Sequence, residues 1–97
     1  MDSIHHIAIQ VEDIAKAVAW YQERFNAELE YQDETWAMLR FENLRLAFVV
    51  ATQHPHHFAI VRKDAADFGP LAPHRDGTIS TYIKDCDGNP VEIMMPS

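Results

Sequence analysis

The side chains in this sequence best suited to chemistry are histidines, and they recur in register. Residues 5–13 read His-His-Ile-Ala-Ile-Gln-Val-Glu-Asp, and residues 56–64 read His-His-Phe-Ala-Ile-Val-Arg-Lys-Asp. The segments stand 51 residues apart and share five of nine positions. A match at half the chain length predicts two copies of one supersecondary unit. In each copy apolar residues alternate at period two, the pattern of a half-buried strand. Ile7, Ile9 and Val11 fall on one face, with His6, Ala8 and Gln10 on the other; Phe58 and Ile60 likewise oppose His57, Ala59 and Val61. The aliphatic faces suit covering helices, which leaves His6 and His57 on a cavity-facing side. Near the C-terminus Val91, Ile93 and Met95 match the aliphatic set, so Glu92 and Met94 go with the histidines. Two imidazoles and one carboxylate from three strands are the facial-triad set of non-haem Fe(II) enzymes, which leaves coordination positions open for substrate and dioxygen. A lone strand histidine is ordinarily a polar edge residue. The paired repeat and the parity of Glu92 are what single out His6, His57 and Glu92 as metal ligands. His5 and His56 have the opposite parity and are assigned to edges, and His54 to solvent.

The elements that must position these groups follow from the same patterns. After Asp13, a candidate helix cap, the spacing of Ile14, Ala17, Val18, Tyr21 and Phe25 predicts one buried face of a helix of about three turns. Strands are expected over Glu28–Gln32, Trp36–Phe41 and Leu44–Val50, with Asn43 at a turn. In the second copy Asp64 is the corresponding cap. Ala65-Ala66-Asp67-Phe68 reads as a short helix that Gly69-Pro70 ends. Only two strands are clear after it, Thr78–Lys84 and Val91–Met95, joined by the turn formers Asp85-Cys86-Asp87-Gly88-Asn89-Pro90. The second unit therefore reads as one strand short. Trp20, Trp36 and Phe48 are assigned to the core rather than to a ligand pocket, and Cys86 to the turn rather than to nucleophilic chemistry.

Composition narrows the function classes. With 97 residues the chain is expected to be one domain, 1–97, with unit one about 1–51 and unit two about 55–97. Eight basic residues against 15 acidic ones give a net charge of −7, which disfavours nucleic acid and anionic membrane surfaces as partners. One cysteine excludes an intrachain disulfide. No apolar run approaches the roughly 20 residues of a membrane helix, and the N-terminal residues lack the pattern of a secretory signal. The expectation is a soluble, cytoplasmic protein. Its unpaired sheet edges point to a homodimer.

The chain also resembles the vicinal-oxygen-chelate proteins, the superfamily of glyoxalase I, extradiol ring-cleaving dioxygenases and bleomycin-resistance proteins. The resemblance rests on His6-Ile7-Ala8-Ile9-Gln10-Val11-Glu12-Asp13-Ile14, on Trp20-Tyr21, on His57-Phe58-Ala59-Ile60, and on Asp85-Cys86-Asp87-Gly88-Asn89-Pro90-Val91-Glu92-Ile93. The closing segment is the most specific part, with Cys86 where the family usually has proline. It implies an α+β fold of paired βαβββ units, the second here shortened by about one strand, and places His6, His57 and Glu92 at the family's metal-ligand positions. Glyoxalase I adds a glutamate ligand on the fourth strand of its first unit. Asn43-Leu44-Arg45-Leu46-Ala47-Phe48-Val49 has none, and Glu42 lies just before it. Three ligands favour the extradiol-dioxygenase-like branch. So does the spacing of His74, Tyr82 and Glu92, which resembles the extradiol signature. By that resemblance His74 would hydrogen-bond oxygen or substrate, and Tyr82 would stabilise an oxyanion on the substrate.

The expected function is thus a divalent-metal-dependent enzyme, with Fe(II) first and Ni(II), Zn(II) or Mn(II) as alternatives. Its small-molecule substrate would chelate the metal through two adjacent oxygens. Two other readings stay open: a glyoxalase-like lyase or isomerase, and a non-catalytic, bleomycin-resistance-like ligand-binding dimer. The chain departs from tandem-domain extradiol enzymes in being a single short domain. It has Thr81 where a larger aliphatic residue is usual, and it lacks the histidine that the family often places on the fourth strand as an acid/base.

Overall fold

The computed structural model describes all residues, Met1–Ser97. It contains strands β1 (Ser3–Gln10), β2 (Glu28–Gln32), β3 (Trp36–Arg40), β4 (Arg45–Val49), β5 (His57–Val61), β6 (Ala72–Pro73), β7 (Ile79–Lys84) and β8 (Pro90–Met94). Helix α1 spans Ile14–Arg24, and a single 3-10 turn spans Ala65–Asp67. By contacts the chain divides into two compact units: His6–His56, called the first unit below, and His57–Ser97 together with Met1–His5, called the second. No helix is long and apolar enough to cross a membrane.

In the first unit the strand order is β2-β3-β4-β1. β1 and β4 are parallel, with His6 beside Arg45 and Ala8 beside Ala47, while β3 is antiparallel to both β2 and β4. A parallel pair needs a long crossover, and α1, β2 and β3 supply it. Asp13 starts the helix by accepting a hydrogen bond from the Lys16 backbone N–H at 3.0 Å. Ile14 and Val18 then pack with Ala37, Leu39 and Phe48, flanked by Ile9, Val11 and Tyr21. Leu39 and Phe48 are fully buried, and burial of such side chains stabilises by about 1.5–3 kcal/mol each. The other sheet face carries Ala8, Met38, Ala47 and Val49, with Tyr31 stacked on Trp36 at 4.2 Å.

Two helix expectations need correction. Phe25 is half exposed, because the helix stops at Arg24 and Phe25 is extended (φ −128°, ψ 151°), so the 3.6-residue period no longer aims its ring inward. Trp20 is exposed as well. It lies off the stripe that holds Ile14, Val18 and Tyr21, with the Arg24 guanidinium 4.3 Å over its ring.

The second unit repeats the topology. Its strand order is β5-β8-β7-β6, with β5 and β8 parallel and the remaining pairs antiparallel. The strand that could not be read from the sequence is β6, reduced to two residues. The α1 counterpart is the 3-10 turn, where Ala65 packs with Val91 and Ile93 and beside Phe58, Ile60, Ile83 and Met95. Asp64 is at the cap position but makes no side-chain cap bond. Its carboxylate is taken by Arg62, whose guanidinium bonds it at 2.7 and 2.9 Å and also reaches Asp2 at 2.8 Å. Asp85 Oδ1 accepts the N–H groups of Asp87 and Asn89, and Gly88 takes φ +85°, a left-handed conformation that favours glycine. Together they close the β7–β8 hairpin. Cys86 is exposed in this turn.

Candidate metal centre

The polar face of the second unit follows from strand parity. On β5, Phe58 and Ile60 pack toward the 3-10 turn, so His57 and Ala59 point the other way and are buried. On β8 the same alternation gives Val91 and Ile93 to the core and turns Glu92 to the side of His57. Across the β7–β8 ladder Tyr82 is opposite Glu92, and Ser80, two residues earlier, is on the same face as Tyr82.

These groups form one hydrogen-bonded network. Glu92 is 4 % exposed and His57 8 %. Glu92 Oε1 lies 3.2 Å from His57 Nε2. Glu92 Oε2 accepts the Ser80 hydroxyl at 2.7 Å, and Ser80 Oγ lies 2.6 Å from His74 Nε2. His74 Nε2 is also 3.5 Å from Glu92 Oε2. The Tyr82 hydroxyl is 3.2 Å from His57 Nε2, and the two rings meet edge to face with centroids 5.2 Å apart. Burial, and then the adjacent Glu92 charge, push the Tyr82 phenol upward, so it stays protonated and able to donate at neutral pH.

The second unit therefore brings His57, Glu92, His74 and Tyr82 together. In the first unit His6 is 6 % exposed on β1, on the face opposite the one that Ile9 and Val11 turn to the helix. His57 and Glu92, a buried imidazole and carboxylate 3.2 Å apart within the second unit, are donors whose chemistry fits Fe(II), Zn(II), Ni(II) and Mn(II); His6 is a buried imidazole of the first unit. Glu42 is exposed in the turn between β3 and β4, and β4 itself carries no carboxylate.

The remaining histidines have other surroundings. His5 and His54 are half-buried and His56 is exposed. His56 Nδ1 accepts the Gln10 backbone N–H at 3.0 Å, and the Gln10 side chain donates to the His54 carbonyl at 3.0 Å. Sequence reasoning missed this tie and it missed Ser80. The signal for Ser80 was present: a hydroxyl two residues before Tyr82 must share its face.

A family model described as the Glyoxalase/Bleomycin resistance protein/Dioxygenase superfamily matches residues 3–93. Among curated proteins none matches the sequence. Several solved structures share the fold. The hypothetical protein BH1468 from Bacillus halodurans C-125 is 15 % identical, with a TM-score of 0.78 and coverage of 99 % of this chain and 95 % of that one. A protein described as an NAD-dependent benzaldehyde dehydrogenase from Legionella pneumophila is 13 % identical, with a TM-score of 0.72 and coverage of 94 % and 97 %. A glyoxalase/bleomycin resistance protein/dioxygenase superfamily member from Vibrio splendidus 12B01 is 13 % identical, with a TM-score of 0.70 and coverage of 99 % and 100 %. At these identities the likeness is one of fold.

Proposed function

The chain belongs to the glyoxalase/bleomycin resistance protein/dioxygenase superfamily, and from that premise we propose that it is a divalent-metal-dependent enzyme of the extradiol-dioxygenase-like kind. His6, His57 and Glu92 would hold the cation, Fe(II) in the first place. The substrate would be a small molecule presenting two adjacent oxygens, as a catecholate does. The observation that carries this reading is the buried His57–Glu92 pair at 3.2 Å with the Tyr82 hydroxyl beside it. A carboxylate taken out of water needs strong compensation, and a divalent cation bound with two imidazoles provides it. When bound, such an ion supplies Lewis acidity and, as iron, redox chemistry.

The protein's own groups then have defined tasks. Tyr82 donates its hydrogen bond to the substrate oxygen on which charge develops. His74, at the same carboxylate, is assigned as the second hydrogen-bonding group toward substrate or dioxygen. Glu42, exposed in its turn, favours three protein ligands over the four of a glyoxalase-like lyase. The exposed edge strand β2 and the two-residue β6 leave backbone groups open to pairing, and we assign their cover to a second copy of the chain.

Metal content of protein purified anaerobically, wild type beside Glu92→Ala, tests the proposal. Iron near one per chain, lost in the variant, supports it and directs a screen of catechols under oxygen. Nickel or zinc in its place moves the assignment to the lyase or isomerase reading. No metal in either protein refutes the centre and leaves ligand binding without turnover.

A further inference from the structure

Ser80 is 1 % exposed, and its hydroxyl is committed on both sides. An ionised carboxylate only accepts hydrogen bonds and a hydroxyl carries one proton. The 2.7 Å contact to Glu92 is therefore Ser80 Oγ–H donating to Oε2. The 2.6 Å contact to His74 must then run the other way, with His74 Nε2–H donating to Ser80 Oγ. A directed chain results, from His74 through Ser80 to Glu92 Oε2. The other carboxylate oxygen, Oε1, is the one turned to His57. The two oxygens of Glu92 thus stand in different environments, and a neutral side chain with no acid–base chemistry of its own makes the difference.

We propose, resting on the metal-centre reading above, that Ser80 is a positioning residue that restricts Glu92 to one-oxygen ligation. Oε1, on the side of His57, would be the oxygen left for the cation, and Oε2 is held back by the hydroxyl. A carboxylate free to chelate would fill two coordination positions. Held by Ser80 it fills one, and the position it leaves serves a substrate that must bind through two oxygens. His74 fixes the direction of the Ser80 hydroxyl, so its loss weakens the restraint without removing it. Partners that orient a metal ligand typically contribute about 10–100-fold to metal affinity.

The test is Co(II) titration of metal-stripped protein followed by visible absorption, with urea unfolding as a check on the fold. Wild-type protein is expected to bind one Co(II) per chain. Ser80→Ala is expected to bind about 10–100-fold more weakly, with weaker and shifted d–d bands, because a carboxylate freed to chelate raises the coordination number. Ser80→Thr and Ser80→Val, equal in volume and different in the hydroxyl, separate the hydrogen bond from packing. The threonine protein should resemble wild type and the valine protein should resemble Ser80→Ala. Equal affinity and identical bands in wild type and Ser80→Ala overturn the assignment, as do threonine and valine proteins that behave alike. Failure of the wild-type protein itself to bind Co(II) overturns the metal centre, a result separate from failure of the Ser80 assignment.

Discussion

Replacing Asp33 by asparagine should remove a pH-dependent share of the stability while leaving in place the turn that Asp33 builds. One carboxylate organises the β2–β3 hairpin. Its Oδ1 accepts the backbone N–H groups of Thr35 and Trp36 at 2.8 and 2.9 Å and the Thr35 hydroxyl at 3.1 Å; its Oδ2 accepts the Tyr31 hydroxyl at 2.6 Å. Burial by itself would raise this carboxyl, but the hydrogen bonds outweigh it, the one from Tyr31 foremost, and lower it from 3.8 to about 2. At about 1.4 kcal/mol for each pH unit, that difference is about 2.4 kcal/mol. Solvent screening at a partly exposed group reduces it to about 1–2 kcal/mol. Because the folded-state value is depressed, this stability is complete at pH well above 3.8 and is lost as the pH falls through 2. About half is gone at pH 3. Asparagine keeps an Oδ1 acceptor for the turn but cannot ionise. Urea unfolding of both proteins at pH 7, 4, 3 and 2.5 isolates the effect, since the other carboxylates titrate alike in both and cancel in the difference. The stability gap should be about 1–2 kcal/mol at pH 7, fall to about half near pH 3, and nearly close below that. A gap of the same size at every pH would refute the electrostatic reasoning and leave only turn geometry.

Asp13→Ala should cost about 1 kcal/mol by removing the acceptor of the Lys16 N–H, seen as a drop in melting temperature of about 4–8 °C. Gly88→Ala should destabilise by roughly 1–2 kcal/mol, from the φ of +85° alone, since a Cβ there meets nothing within 4 Å; chemical denaturation measures it. Tyr82→Phe should leave metal content unchanged while lowering turnover of a vicinal-oxygen substrate by about 10²-fold or more, read from initial rates on whichever catechol the screen identifies.

Much of this arrangement was legible in the sequence because it obeys a period. Alternation on β1, β5 and β8 follows directly from one face being packed against apolar cover, so the burial of His6, His57 and Glu92 could be derived from Ile9, Phe58, Ile60, Val91 and Ile93. The topology was legible through the repeat. What escaped has no period. Two residues, Ala72 and Pro73, are too few to alternate, so β6 was invisible. Asp64 has the residue type of a cap, but Arg62, two positions away, competes for the same carboxylate and wins with two hydrogen bonds. Phe25 continued a helical stripe on paper after the helix itself had ended. Ser80 belongs to a common residue type, and only its partners, Glu92 and His74, give it meaning.

The Asp85–Asn89 turn has a consequence for the order in which the protein assembles. It joins β7 to β8, and those two strands carry Ser80, Tyr82 and Glu92. The contacts among these three residues span only 10 to 12 positions of chain, whereas the His57–Glu92 contact spans 35. Hairpins close in about 1–10 μs, and low sequence separation makes such contacts the least costly in chain entropy to form. The carboxylate and its hydroxyl partners are therefore expected to meet as a local event, ahead of the strand that delivers His57. Pulsed hydrogen exchange during refolding should then show β7 and β8 amides protected before those of β5.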